Sequence, residues 1–270
     1  MPLYLVSTPI GNLEDMTFRA VRVLREVALI AAEDTRHSGK LLKHFEIETP
    51  LTSFHEYSDE SKLGELIGRL ATEDIALITD AGTPAISDPG YRLVRAALDA
   101  GVVVTPIPGA NAATTALVAS GLPTDRFLFV GFLPNKQQAR RAALAELSAE
   151  TATLILYESP KRLTKLLADA QQTLGDRDCC VARELTKLHE ELFRGTLSAA
   201  RGHFADSTRG EITVVIAGRR ESADDIWTEE RVIAAVGKLI ASGVSRKQAS
   251  AEVAAQSGWR AKQIYRLTLN

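Results

Sequence analysis

Short apolar runs alternate with amphipathic stretches along the first half of the chain. Short runs of this kind are typical of buried strands, and apolar residues spaced three or four positions apart are typical of helices. The pattern predicts strands at 3–6, 29–32, 75–79, 102–107 and 127–132, and helices over 18–27 and 63–70. Strands that alternate with helices indicate a mainly parallel sheet covered by helices, and so an α/β fold.

The same alternation continues after Pro134. The pattern there predicts helices over 140–147 and 162–174, and strands at 154–157, 180–182 and 212–217. The Gly-Leu-Pro-Thr segment at 121–124 is predicted to be a hinge between two α/β lobes. We interpret His189-Glu190-Glu191 as the start of a solvated helix rather than as a set of metal ligands.

A polar stretch at 219–225 precedes a C-terminal segment whose pattern is entirely helical. Helices are predicted around 232–239, 244–255 and 261–269, with a break at 256–258. Ala254, Gly258, Ile264 and Leu267 stand where a helix-turn-helix needs a small residue, a turn glycine and two core residues. Contact with nucleic acid and a helical cap on the second lobe are both open alternatives. We therefore expect lobes at 1–118 and 119–222 and a helical tail at 223–270.

The composition is that of a globular protein, with 45% hydrophobic and 24% charged residues among 270, and it excludes collagen and disordered proteins. A formal net charge of −2 gives no overall basic field, yet residues 227–270 hold seven Lys or Arg against three Asp or Glu. The two cysteines, Cys179 and Cys180, are adjacent, which excludes a disulfide scaffold. No signal peptide or membrane span is evident, so we expect a cytoplasmic protein.

Four loops rich in Gly and Pro follow predicted strands of the first lobe, at 8–12, 80–84, 87–91 and 108–112. The carboxyl ends of parallel strands meet at one edge of a sheet, where ligands bind. Gly lets the backbone approach a ligand closely, and Asp80 and Asp88 can accept hydrogen bonds from hydroxyl or amine groups. Four such loops on one edge favour a ligand site over simple connections.

Several common sites are absent from the sequence. There is no GxGxxG dinucleotide fingerprint, no phosphate-binding P-loop, no GxSxG nucleophile motif and no HExxH metal motif. The first-lobe loops hold almost no Lys or Arg, which disfavours a triphosphate as their ligand. A ligand with hydroxyls, an amine and an apolar or aromatic part fits better, and no metal is expected.

The second lobe also carries charged side chains at its predicted strand ends. Glu184 and Glu211, beside Arg183 and Lys187, form structural ion pairs or, if they face the first-lobe loops, ligand contacts. A basic set in the same lobe can bind phosphates or form a solvated face; it consists of Lys136, Arg140, Arg141, Lys161 and Arg162.

At these loops the chain resembles the tetrapyrrole methylase superfamily. The motifs that carry the resemblance are LVSTPIGNL (5–13), EDTR (33–36), DAGTP (80–84), SDPG (87–90), IPGA (107–110), GFLP (131–134), YESP (157–160) and RELTK (183–187). Within this superfamily, the chain is most similar to the branch that methylates the ribose 2′-hydroxyl of a cytidine in 16S ribosomal RNA. The motifs at 33–36 and 183–187 and the helical tail carry this narrower resemblance.

The resemblance implies a two-lobed class III methyltransferase fold, a homodimer, and S-adenosylmethionine bound in the cleft between the lobes. It also implies that the substrate is 16S ribosomal RNA, at a cytidine of the decoding region in the small ribosomal subunit. The cofactor contacts implied are Pro9, Asp80, Ala81, Gly82, Ser87, Asp88, Pro108, Gly109, Ala112, Phe132, Ala182, Gly210, Glu211 and Ile212.

A ribose 2′-hydroxyl is a poor nucleophile until it loses its proton, so a base or a cation that lowers its pKa would help. The candidates for this role are Lys187, Glu184, Asp88 and Glu211. In the tail, the candidates for RNA contact are Arg246, Lys247, Arg260 and Lys262. Two other functions are open: a DNA-binding regulator that senses a small molecule, and a methylase of a small molecule.

Overall fold

The computed structural model describes residues 1–55, 58–87, 90–206, 208–220 and 227–269. These fall into two compact units, Met1–Arg219 and Arg220–Asn270. The first unit contains two five-stranded sheets, one formed before residue 108 and the other after residue 126. The predicted α/β fold with a helical C-terminal segment is confirmed.

The first sheet is wholly parallel, with strand order β3-β2-β4-β1-β5. Its strands are β1 (Leu3–Val6), β2 (Leu29–Ala32), β3 (Leu51–Ser53), β4 (Ile75–Ile78) and β5 (Val104–Ile107). The helices of this half are α1 (Phe18–Glu26), α2 (Thr35–His44), α3 (Glu60–Arg69), α4 (Tyr91–Asp99) and α5 (Ala112–Ser120). Residues of β2 and β4 are buried throughout, since helices cover both faces of such a sheet.

The second sheet is mixed, with strand order β6-β7-β10-β8-β9. Its strands are β6 (Phe127–Phe132), β7 (Thr153–Glu158), β8 (Asp178–Arg183), β9 (Glu191–Thr196) and β10 (Ile212–Ile216). Only β6 and β7 pair in parallel, so the prediction of a mainly parallel sheet is wrong for this half. The reason is that β8 and β9 form a hairpin without a crossover helix, and β10 inserts between β7 and β8.

Three helices complete the first unit: α6 (Gln137–Glu146), α7 (Leu163–Leu174) and α8 (Leu197–His203). Glu191 begins β9 and pairs with Arg183 at 2.8 Å, so the interpretation of 189–191 as a helix start is wrong. Cys179 and Cys180 are both free and buried on β8.

The second unit has its own small core. It consists of α9 (Glu229–Ala241), α10 (Arg246–Ser257) and α11 (Ala261–Leu267). Val232, Val236, Val253 and Ile264 are buried against one another. Gly258 ends α10 with a left-handed φ of 71°, which confirms the predicted break. None of the helices within the described ranges combines the length and apolar character needed to cross a membrane.

Candidate active site

Hydrogen bonds join the loops at the carboxyl ends of β1, β4 and β5. Thr8 and Gly82 form an antiparallel bridge, with the Thr8 N–H donating to the Gly82 carbonyl at 2.9 Å. The Ser7 hydroxyl donates to Thr83 Oγ1 at 3.1 Å, and Thr83 donates to the Ala110 carbonyl at 3.2 Å. The three loops therefore form one connected floor, as their position at a parallel sheet edge predicts.

Gly109 serves this packing of loop on loop. A Cβ atom at Gly109 would lie 2.8 Å from Ser7 Cβ, closer than real Cβ atoms approach other atoms. Pro108 and Gly109 do not line either of the two larger cavities described below. A larger side chain at 109 would thus disturb the β1 and β5 loops themselves, and the expected cofactor contacts at Pro108 and Gly109 stay predictions.

A cavity of about 400 Å³ separates this floor from the second sheet. This volume lies in the range of sites that hold drug-sized ligands. The structure brings eight of the predicted cofactor residues to its walls, namely Ala81, Gly82, Ser87, Ala112, Phe132, Gly210, Glu211 and Ile212. Ala182 borders a small recess of about 20 Å³ that shares Ala112 and Glu211 with the cavity.

Other wall residues carried no distinctive signal in the sequence. In the sequence, Thr213 is an ordinary strand residue of β10 and Ile86 an ordinary apolar loop residue. Only the fold brings them to the cavity. Ile10, Asn111 and Tyr157 stand within or beside the motifs quoted above but were not expected as contacts. Asp88, expected as both a cofactor and a catalytic residue, lies outside the described residues.

The walls of this cavity suit a ligand with an apolar or aromatic part and a positive charge. Among the described wall residues there is no Lys or Arg, whereas Glu158 and Glu211 are present. The Phe132 and Tyr157 rings lie 5.6 Å apart between centroids. Burial raises the pKa of Tyr157, so its hydroxyl stays neutral. Glu158 is buried and pairs with Arg162 at 3.2 Å, whereas the Glu211 side chain is exposed, so Glu211 is the more accessible of the two carboxylates.

Lys187, Glu184 and Glu211 form one charged cluster beside the cavity. Lys187 Nζ lies 3.1 Å from Glu184 Oε1 and 3.0 Å from Glu211 Oε2. The Glu211 N–H donates to Glu184 Oε1 at 2.9 Å. A Cβ atom at Gly11 of the first-lobe loop would collide with the Lys187 side chain. Three of the four expected catalytic residues are therefore together, and they face the first-lobe loops.

The cluster favours the charged forms of Glu184 and Lys187. The Glu211 backbone N–H is the main cause that lowers the pKa of Glu184, against the opposing effect of burial, and Lys187 adds to it. Burial opposes the charge of Lys187, but the hydrogen bonds to Glu211 and Glu184 outweigh it and raise the pKa. Lys187 is thus a cation at neutral pH, suited to stabilise negative charge rather than to accept a proton.

A second cavity of about 300 Å³ adjoins the first. Ile10, Ala81 and Glu211 border both, so the two meet at these residues. Lys187 borders the second cavity, as do the expected cofactor residues Pro9 and Asp80. The charged cluster therefore stands at the junction of the two cavities.

Backbone strain is concentrated in the loops at this junction. Among the described residues, Ala85, Ser87, Glu184 and Thr186 have positive φ values between 52° and 69° without being glycine; Glu46 is the fifth such residue. Such conformations cost about 1–3 kcal/mol each and occur most often at functional sites. Ser87 lines the first cavity, and Thr186 and Glu184 stand in the same loop as Lys187, which supports a functional role for these loops.

The basic set of the second lobe is mostly engaged within the protein. Arg140 is buried, and its Nε donates to Asp169 at 2.8 Å, which corrects the expectation that it binds RNA. Arg141 pairs with the same Asp169 at 2.7 Å, and Arg162 hydrogen-bonds the Leu133 carbonyl at 2.8 Å as well as pairing with Glu158. Lys136 and Lys161 are exposed.

The basic residues expected to bind RNA in the tail are all exposed, namely Arg246, Lys247, Arg260 and Lys262. No ion pair involves them within the described ranges. The described residues also contain no group of three His, Cys, Asp or Glu placed to hold a metal ion.

The model of the family Tetrapyrrole (Corrin/Porphyrin) Methylases matches residues 2–201. Proteins named Ribosomal RNA small subunit methyltransferase I are similar over nearly the whole chain. The one from Synechocystis sp. is 50% identical, with 99% of this chain and 97% of the relative covered. That from Pseudomonas aeruginosa is 46% identical, with 99% and 96% covered.

Solved structures of more distant proteins share the fold. A diphthine synthase is 16% identical with a TM-score of 0.60, covering 80% of this chain and 90% of its own. The uroporphyrin-III-C-methyltransferase from Thermus thermophilus is 21% identical with a TM-score of 0.57, covering 79% and 93%. Proteins with such different substrates show that this fold alone does not select the acceptor.

Proposed function

Since the chain belongs to the tetrapyrrole methylase family, whose members take the methyl group from S-adenosylmethionine, we propose which acceptor receives it. The acceptor is the 2′-hydroxyl of a cytidine ribose in the decoding region of 16S ribosomal RNA. The observation that carries this proposal is the near full-length similarity to proteins named Ribosomal RNA small subunit methyltransferase I.

The residues of the main cavity fit S-adenosylmethionine. Its apolar walls, with Phe132 and Tyr157, suit the adenine ring, and the lack of Lys and Arg among the described wall residues suits a ligand without phosphates. Gly82, with a φ of 88°, turns the backbone at the floor of the cavity, where a ligand can meet peptide groups. Glu211 on the cavity wall supplies a carboxylate that suits the positive charges of the cofactor.

The bound cofactor supplies an electrophilic methyl group on a sulfonium. The protein then has to align the acceptor hydroxyl and favour loss of its proton. Lys187 stabilises the negative charge that develops on the 2′-oxygen, because it is a cation next to the cavity junction. Glu184 positions Lys187, and Glu211, whose side chain is 72% exposed, can accept the hydroxyl proton directly or through water.

The two alternative functions lack comparable support. A DNA-binding regulator needs a ligand cavity but has no use for the lysine and two carboxylates at its edge. A small-molecule methylase would use the same cavity, but the exposed basic residues of the second unit suit a polyanion. The relatives similar over the whole chain, tail included, are named as ribosomal RNA methyltransferases.

Two further parts of the proposal concern assembly and location. We expect a homodimer, as the family resemblance implies, and a cytoplasmic protein, since its substrate is the small ribosomal subunit. Sedimentation of the purified protein at several concentrations checks the first, and fractionation of cells checks the second.

The proposed function is tested with labelled S-adenosylmethionine and small ribosomal subunits from cells that lack this protein. We expect one methyl group per subunit, on a nucleotide whose 3′ bond resists alkaline hydrolysis because its 2′-oxygen is blocked. Small subunits from cells that contain the protein are the matched control and should accept no label. Labelling of a base instead of a ribose would contradict the proposal, as would no labelling.

A further inference from the structure

The second cavity has the position of an acceptor site. It meets the cofactor cavity at Ile10, Ala81 and Glu211, and Lys187 lies on its wall. A methyl group that passes from one cavity to the other must cross this junction. If the proposed function is correct, the acceptor ribose therefore enters the second cavity, with its 2′-oxygen toward Lys187.

Helix α2 contributes two basic side chains to the lining of this cavity, His37 and Lys40. Residues three positions apart lie on the same face of a helix, so both project together. Both side chains are exposed, and within the described part of the chain neither takes part in an ion pair. Neither residue belongs to the motifs that carry the family resemblance.

The other charged side chains at this cavity have partners within the protein. Lys187 lies between Glu184 and Glu211. Asp80 accepts the Asp34 N–H at 3.2 Å, and the neighbouring Arg36 pairs with Asp34 at 2.9 Å. Of the two lysines that line this cavity in the described part of the chain, Lys187 is ion-paired and Lys40 is not, so the charge of Lys40 is the one open to a ligand.

The chemistry of the acceptor requires an anion near this position. In RNA the 2′-hydroxyl and the 3′-phosphate stand on neighbouring carbons of one ribose. A ribose with its 2′-oxygen at Lys187 thus carries a phosphodiester within the same cavity. A lysine is well suited to such a group, since its charge needs no fixed geometry.

We propose that Lys40 binds the phosphodiester on the 3′ side of the acceptor ribose, and that His37 borders the same phosphate. The ligand class is the backbone of single-stranded RNA. The inference rests on the proposed function and assigns to α2 the task of holding the acceptor nucleotide in register with the methyl group.

The test compares Lys40→Ala with Lys43→Ala, which removes an exposed lysine from the same helix outside the cavity. Binding of small subunits is measured over a range of salt concentrations, and methyl transfer is measured alongside. For Lys40→Ala we expect KM for the subunits to rise about tenfold, the value of one lost charge-assisted hydrogen bond. The slope of log K against log salt should fall by about 0.7. Cofactor affinity should not change, and Lys40→Arg should restore most of the loss.

Lys43→Ala should match the unmodified protein in every measurement. Equal losses in both variants would show that the helix attracts RNA through its overall charge and not through a specific contact of Lys40, and would overturn the inference. A normal KM and salt slope for Lys40→Ala, beside an active unmodified protein, would overturn the inference alone. An unmodified protein that transfers no methyl group to the small subunit would instead overturn the proposed function, and the inference with it.

Discussion

At the scale of single residues, the charge of Lys187 is set by its neighbours. Glu184 and Glu211 lie on the two sides of its ammonium group at 3.1 and 3.0 Å. They outweigh the burial that would otherwise favour the neutral amine, so the pKa of Lys187 is raised. The residue is thus prepared to stabilise an alkoxide, and Glu184 is prepared to hold it.

We predict that Lys187→Ala lowers the single-turnover rate of methyl transfer by about 10²-fold or more, with cofactor affinity nearly unchanged. Lys187→Arg should recover part of the rate because it keeps the charge. The raised pKa keeps Lys187 protonated between about pH 6 and pH 9, so its titration should produce no change in rate there. A Lys187→Ala protein that transfers methyl at the normal rate would remove this residue from the mechanism.

A second prediction at this scale concerns Gly109. Gly109→Val should lower the free energy of unfolding by about 1–3 kcal/mol, because the side chain would press on Ser7. Gly64→Val is the control, since a Cβ atom at Gly64 of α3 meets nothing within 4 Å. Denaturant titration measures both. Equal stability of the two variants would show that the β1 and β5 loops can separate without cost.

At the scale of elements, a buried ion pair joins α6 to α7. Asp169 of α7 is buried and accepts hydrogen bonds from Arg140, Arg141 and Gln137 of α6. Burial alone would raise the pKa of Asp169, but these hydrogen bonds lower it. Residues that would otherwise form a basic surface thus fasten two helices together.

We predict that Asp169→Asn destabilises the protein by about 3–5 kcal/mol, because it leaves the charge of Arg140 buried without a partner. Since the pKa of Asp169 is lowered on folding, its contribution is present above about pH 4 and is lost as the pH falls. Asp99→Asn, which breaks the exposed Arg95–Asp99 pair, should cost less than about 1 kcal/mol. Thermal unfolding at neutral and acid pH tests both, and a small effect of Asp169→Asn would make the pair dispensable.

The sequence predicted the strands that are continuous apolar runs and missed elements without a clear apolar pattern. The apolar runs at Leu3–Val6, Leu29–Ala32 and Phe127–Phe132 were predicted to the residue. Helix α5 was not predicted, because small residues bury several of its sides and leave little contrast between faces. Strand β9 was not predicted either. It begins at the charged residue Glu191, and only the tertiary structure shows that Glu191 pairs with Arg183.

At the scale of the whole molecule, the second unit presents a basic surface of its own. We predict that replacing Arg246, Lys247, Arg260 and Lys262 by Ala weakens binding of small subunits and leaves cofactor affinity unchanged. Each lost phosphate contact should lower the salt slope by about 0.7–0.9. The variant Gln256→Ala/Gln263→Ala changes exposed side chains of this unit without changing charge and should bind normally. An unchanged slope in the fourfold variant would make the unit a structural element.

The sequence by itself determined the α/β class, the tail of three helices and the loops at one sheet edge, because periodicity and Gly-Pro loops are local properties. It also determined the family, through motifs that need no coordinates. Only the tertiary structure decided that Arg140 is buried in an ion pair with Asp169, that Gly109 packs on Ser7, and that the second sheet is mixed. Likewise, the ammonium of Lys187 meets Glu211 only because β10 pairs with β8 and brings together residues distant in sequence. Burial, ion pairing and strand order depend on which distant segments meet, and no local pattern specifies that.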